Sequence, residues 1–193
     1  MFSDLLKARI REGINPIGLA LAALGLTPNL ITLFGFLLNL LVAGVLATGQ
    51  QTLAGALLLP VAALDMLDGA VARATERSTR FGAFLDSTID RYVEAVIFLA
   101  LLVVYAPLGD ALTNVAIFLA AVGSLMVSYT RARAEGLDLR CEVGLLPRPE
   151  RIIILALGLI GGWTVPVLWL LAVLTNFTAA QRIWHVWQVT KGQ

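Results

Sequence analysis

Apolar runs of about 20 residues recur along this chain, each long enough to cross a bilayer core of roughly 30 Å. Backbone groups in lipid find no water and must bond within their own segment, so such runs are helices. With 59% hydrophobic residues over 193 and a mean hydropathy of +0.85, a soluble domain could not hide the apolar side chains. The expected fold is an all-α integral membrane protein, a single domain over 1–193. Six transmembrane helices are expected at 28–48, 53–73, 82–107, 111–135, 149–163 and 165–187, forming a bundle over 28–187. The fifth is the weakest, because Gly161 and Gly162 interrupt one long apolar run before Pro166 can start a new helix. If that break is only a kink, the count falls to five.

Ahead of the spans, Phe2, Leu5, Leu6 and Ile10 recur at helical spacing while Asp4, Lys7, Arg11 and Glu12 face elsewhere. That pattern predicts an N-terminal amphipathic interfacial helix within a juxtamembrane segment, 1–26. It lacks the apolar centre of a signal peptide. Thr27 and Pro28 read as the N-cap and first turn of the first span.

Arginine and lysine cluster before the first span, between the second and third, around the connection after the fourth, and near the end. The other connections carry none. The positive-inside rule then places both termini and the arginine-rich loops in the cytoplasm, with Trp184 and Trp187 in the inner aromatic belt and Trp163 in the outer. The net charge of +1 gives no bulk attraction to nucleic acid, so none is expected as a partner. The single Cys141 excludes an internal disulfide and a cysteine-based metal site.

Against this apolar background stands DMLDGAVARATERSTRFGAFLDSTID, residues 65 to 90. Asp65 and Asp68 are three apart near the end of the second span. Asp86 and Asp90 are four apart near the start of the third. Both spacings put the pair on one helix face, and the short polar connection makes the two helices antiparallel neighbours. Four converging carboxylates repel strongly at low dielectric and need cations. Oxygen donors without His or Cys suit Mg²⁺, Mn²⁺ or Ca²⁺ rather than Zn²⁺. Mg²⁺ completes its shell with substrate phosphates, so a phosphate-bearing substrate is expected. Gly69, Ala72 and Gly82 leave room for close helix approach or for a flat ligand group. Arg73 and Arg91 can pair with acidic neighbours or touch a diphosphate. Asn29 and Thr32 can line a nucleotide entrance if the first span packs there. Glu94, a turn beyond Asp90, reads as a buried helix–helix partner.

The pattern Asp65-x2-Asp68-Gly69-x2-Ala72-Arg73-x8-Gly82-x3-Asp86-x3-Asp90 resembles, position for position, the signature of the CDP-alcohol phosphotransferases. The resemblance implies displacement of CMP from a CDP-linked lipid by an acceptor hydroxyl, with Mg²⁺, or Mn²⁺ as alternative, and two ions expected. It implies that Asp65, Asp68 and Asp86 are ligands to metal bridging the diphosphate. Asp90 shares a second ion and takes the acceptor proton as general base. Gly69, Ala72 and Gly82 form the floor of the cytidine pocket. The CDP-lipid site then comprises Asn29, Thr32, Asp65, Asp68, Gly69, Ala72, Arg73, Gly82 and Asp86. A homodimer among membrane lipids, in a prokaryotic cell membrane with the active site on the cytoplasmic side, is also implied.

Arg131 and Arg133 end the fourth span, and Arg148 and Arg151 open the fifth. Arginine recognises phosphate through two parallel hydrogen bonds, so the four predict a pocket for a phosphorylated polyol acceptor. The alternative is positive-inside decoration with lipid headgroup contact. The stretches Ser128-Tyr129-Thr130-Arg131-Ala132-Arg133-Ala134-Glu135 and Arg148-Pro149-Glu150-Arg151 resemble the phosphatidylinositol phosphate synthase branch, which implies inositol 1-phosphate. Arg131 stands where a Lys is familiar and Pro147 where a Glu is. The runner-up is a phosphatidylglycerophosphate synthase using glycerol 3-phosphate. From another class, a small cation channel or transporter is the rival, but its carboxylates would be spaced through the bilayer rather than gathered at one face.

Overall fold

The computed structural model describes residues 25–74 and 79–192, with side chains described outside 65–74. The interfacial helix expected within 1–26 therefore lies outside the described residues up to 24. Six α-helices follow in order among the described residues: α1 (Pro28–Ala47), α2 (Gln51–Ala74), α3 (Arg80–Tyr105), α4 (Ala111–Glu135), α5 (Arg148–Gly161) and α6 (Thr164–Thr190). A single 3₁₀ turn, Ala106–Leu108, follows α3. Among the described residues, four stretches are long and apolar enough to cross a membrane: Pro28–Ala47, Arg80–Leu108, Ala111–Glu135 and Thr164–Thr190. The apolar part of α2, Gln51–Leu64, is too short alone, and α5 has only 14 residues.

The helix ends have local causes. The Thr27 hydroxyl accepts from the Leu30 amide at 3.4 Å, and Thr27's carbonyl accepts from Leu30 and Ile31, so α1 starts where expected. The Thr79 hydroxyl accepts from the Gly82 amide at 2.9 Å, which starts α3 two residues before the expected 82. Asp110 caps α4, accepting from the Leu112 and Thr113 amides and from the Thr113 hydroxyl at 2.5 Å. The hydroxyl and amide bonds from Thr113 hold this carboxyl below the ordinary carboxylate range. At the doubtful break after α5, Gly162 takes a φ of +73° and its amide bonds back to the Gly158 carbonyl. That left-handed turn ends the helix, so α5 and α6 are separate helices rather than one kinked one.

By compactness the chain divides into two units, one of residues 1–41 and 60–93, the other of 42–59 and 94–193. In the second unit the core is built on small residues. Ala116, Ala120, Gly123, Ser124 and Val127 of α4 recur at three and four, and all are buried. They face the buried Leu168, Leu171, Ala172, Thr175 and Ala179 of α6. The Asn176 amide donates across to the Leu119 carbonyl at 3.0 Å. A β-carbon on Gly123 would stand 2.0 Å from Thr175 Oγ1 and 2.6 Å from Asn176 Nδ2. Close approach of this kind is how helices pack where lipid supplies no hydrophobic drive between them. Gly123→Val is therefore expected to destabilise by about 1–3 kcal/mol or more through overpacking. Gly44→Ala, with nothing within 4 Å, should be neutral or better. Thermal unfolding in detergent compares them, and equal melting of both variants would refute the tight α4–α6 contact.

At the other end of this unit, Gln51 Oε1 accepts from the Thr164 hydroxyl at 2.6 Å and from the Tyr105 hydroxyl at 3.3 Å. One side chain thus ties the start of α2, the end of α3 and the start of α6.

Candidate active site

In the first unit, α3 carries Gly82, Asp86 and Asp90 at successive fours, so they line one stripe of the helix. Asp86 and Asp90 are half-buried. Asp90 Oδ2 lies 3.6 Å from Arg91 Nη1, and that guanidinium also donates to the Ser87 carbonyl. Gly82 meets the start of α1: a β-carbon there would press against Asn29 Oδ1 at 3.0 Å and Thr79 Oγ1 at 3.1 Å. Asn29 and Gly82, both expected at the nucleotide, are thus neighbours. Thr32 is buried one turn along α1, with its hydroxyl donating to the Pro28 carbonyl at 3.1 Å. Asp65, Asp68, Gly69, Ala72 and Arg73 belong to the helical backbone of α2, but their side chains lie outside the described residues. Among the described residues no three His, Cys, Asp or Glu gather at a metal-sized site.

Along the same unit runs an apolar groove of about 440 Å³, lined by Leu30, Leu33, Phe34 and Leu37 of α1 and by Leu64 of α2. It lies on the helix that presents Asn29 and Thr32.

The expected acceptor arginines all fall in the second unit, and the structure treats them differently. Arg148 and Arg151 converge on the buried Glu94, with Arg151 Nη2 at 2.7 Å and Arg148 Nε at 3.7 Å from Oε1. Arg151 is 3% exposed, and its Nη1 donates to the Leu146 carbonyl at 3.0 Å. Glu94 is thus the buried helix–helix partner expected from the sequence. Arg131 and Arg133 are exposed, and Arg131 pairs with Glu135 one turn on, at 2.7 Å. A solvated pair of this kind contributes little to stability, so it can be given up to a ligand.

Arg182 went unrecognised in the sequence, where it counted only toward topology. It is buried and donates to the Val143 carbonyl at 2.9 Å and to the Val127 carbonyl. The available signal was its position: a cation inside an apolar helix, flanked by Thr178 and Gln181. Thr178 Oγ1, Gln181 Oε1 and Arg151 Nε are buried without a hydrogen-bond partner among the described residues. The connection 136–147 is held against this end of α6. Besides the Val143 bond, His185 Nε2 meets the Arg140 carbonyl at 3.2 Å, and Gly144, at φ +133°, comes so close to Thr178 that a β-carbon would clash. Cys141 is buried there.

Comparison with known proteins follows the same lines. Residues 25–184 match the family model for CDP-alcohol phosphatidyltransferase. The archaetidylinositol phosphate synthase of Pyrococcus horikoshii is 39% identical, over 93% of this chain and 94% of that one. The phosphatidylinositol phosphate synthase of Mycobacteroides abscessus is 41% identical, over 88% and 81%. The crystal structure of Mycobacterium tuberculosis phosphatidylinositol phosphate synthase with CDP-DAG bound superposes with a TM-score of 0.84 at 34% identity, covering 90% of this chain and 93% of that one. The same mycobacterial enzyme is also known in complex with manganese and citrate. A family match over most of the chain, relatives near 40% identity and a shared fold agree, and the chain belongs to the CDP-alcohol phosphatidyltransferase family.

Proposed function

We propose that this protein transfers a phosphatidyl group, or its ether analogue, from a CDP-linked lipid to a hydroxyl of inositol 1-phosphate, releasing CMP. The observation that carries the acceptor is the basic group in the second unit, where Arg148 and Arg151 share Glu94 and Arg131 and Arg133 are exposed. Relatives at about 40% identity that bear inositol phosphate synthase names support the same acceptor. Arg131, Arg133, Arg148 and Arg151 would bind its phosphate. Arg131 would give up only an exposed pair to do so.

The donor would sit in the first unit. Asn29 and Thr32 with Gly69, Ala72, Arg73 and Gly82 would receive the nucleotide and diphosphate, and the apolar groove on α1 would take a hydrocarbon chain. Asp65, Asp68, Asp86 and Asp90 would hold two divalent cations, Mg²⁺ or Mn²⁺. The donor chemistry fits, since such hard ions prefer carboxylate oxygens. When bound, the ions neutralise the diphosphate and stabilise the CMP leaving group. Asp90 accepts the proton of the attacking hydroxyl, which requires hydrogen-bond reach in the substrate complex. Arg91 Nη1 lies 3.6 Å from Asp90 Oδ2.

The same reading makes one catalytic domain of the chain, with all six helices entering the membrane and the segment 1–26 lying on its surface. Both termini and the site would face the cytoplasm. A homodimer is the expected assembly.

The test is CMP release by the purified protein with CDP-diacylglycerol and Mg²⁺, comparing inositol 1-phosphate, glycerol 3-phosphate and free inositol. Selective release with inositol 1-phosphate is expected. Release with glycerol 3-phosphate instead would retain the aspartate chemistry and sink the acceptor assignment.

A further inference from the structure

We propose that Glu94 is a positioning residue for the acceptor: it sets the orientation of Arg148 and Arg151 without touching substrate. The inference rests on the reading of those arginines as phosphate ligands. Glu94 is neither part of the aspartate signature nor a solvent-exposed counter-charge, since its side chain is 9% exposed. A buried carboxylate is costly unless it is paired and hydrogen-bonded. Here Oε1 receives Arg151 Nη2 at 2.7 Å and stands 3.7 Å from Arg148 Nε.

The arrangement determines how Arg151 is presented. Its guanidinium is planar and rigid. One terminal nitrogen is fixed to Glu94 and the other to the Leu146 carbonyl at 3.0 Å. Two bonds at two nitrogens set both the position and the tilt of the plane. Nε is the nitrogen left without a bond, buried and without a hydrogen-bond partner among the described residues. Glu94 lies 57 positions before Arg151 in the chain, and their bond ties it to the start of α5. Its charge also lets two guanidinium groups share one neighbourhood, where they would otherwise repel each other.

Steady-state CMP release by the full chain, with acceptor concentration varied, tests this. CDP-lipid binding and thermal unfolding are measured on the same samples. Glu94→Gln keeps the shape and removes the charge. Losing hydrogen bonds to a charged group predicts an acceptor KM raised roughly ten- to hundredfold. The kcat and the CDP-lipid affinity should stay near wild type. Glu94→Asp keeps the charge on a shorter stem and should give an intermediate KM. A merely structural Glu94 would lower melting temperature and both affinities together, without the selective rise. An unchanged acceptor KM in Glu94→Gln, or a fall in kcat alone, would overturn the proposal. Should Glu94→Gln melt below the assay temperature, Glu94→Asp decides: a raised acceptor KM with normal CDP-lipid binding supports positioning, and parallel loss of both refutes it. Wild-type protein that releases no CMP with inositol 1-phosphate would instead sink the acceptor reading, and that control is read first.

Discussion

Asp90→Asn should lower turnover by about 10²–10⁴-fold, the usual contribution of a positioned general base, and leave CDP-lipid binding largely intact. The amide has nearly the shape of the carboxylate but cannot take a proton from the attacking hydroxyl. Its side chain is 17% exposed, and Arg91 stands 3.6 Å away. Asp86, one turn earlier, remains in the variant, as do Asp65 and Asp68. Binding and turnover should therefore separate. Turnover is measured as CMP release, and binding by titration with CDP-lipid in Mg²⁺. Undiminished release would remove Asp90 from the chemistry. Parallel loss of binding and turnover would recast it as a metal ligand first.

Arg151→Ala is expected to cost about 3 kcal/mol of stability, at the low end of the 3–5 kcal/mol seen when one partner of a buried ion pair is deleted. The low end applies because Arg148 still lies 3.7 Å from Glu94. The variant also strands the Leu146 carbonyl, which loses its donor. On the proposed reading, in which Arg151 binds the acceptor phosphate, acceptor KM should rise as well. Arg151→Lys keeps the charge but cannot bond at two fixed points, so it should fall between wild type and alanine in both measurements. Thermal unfolding in detergent is the direct check. A melting temperature for Arg151→Ala within about a degree of wild type would mean that Glu94 and Arg151 are not held together.

The elements were legible because lipid allows so few solutions. A run of apolar residues of spanning length has to be a helix, and Thr27, Pro28 and Gly162 mark ends by local chemistry that needs no tertiary information. The boundaries that moved did so for equally local reasons. The Thr79 cap pulls α3 back to Arg80, and α6 continues past the expected 187 to Thr190. The stripe of Gly82, Asp86 and Asp90 on α3 was legible because its spacing repeats the helix turn. The contacts of the basic residues were not legible in the same way. Arg151 and Glu94 meet across 57 positions, and Arg182 and Val127 across 55, distances at which no periodicity connects them. Arg182 looked like a topological charge because the positive-inside rule treats all cations alike. Only packing separates the buried, doubly bonded guanidinium from the exposed Arg133.

The brevity of α5 has a consequence for depth. At about 1.5 Å per residue, its 14 residues reach only about 21 Å, some two-thirds of a hydrocarbon core of roughly 30 Å. Exposed Trp163, just past its far end, is the kind of residue that floats at a lipid–water boundary. With that end moored there, the start of α5, and the irregular backbone of 136–147 before it, would lie below the opposite headgroup layer. Non-helical chain survives at that level only beside protein or water. The arginines would then line the bottom of a wet recess sunk into the leaflet. A sugar phosphate would descend to the lipid, and the lipid would never have to leave its monolayer.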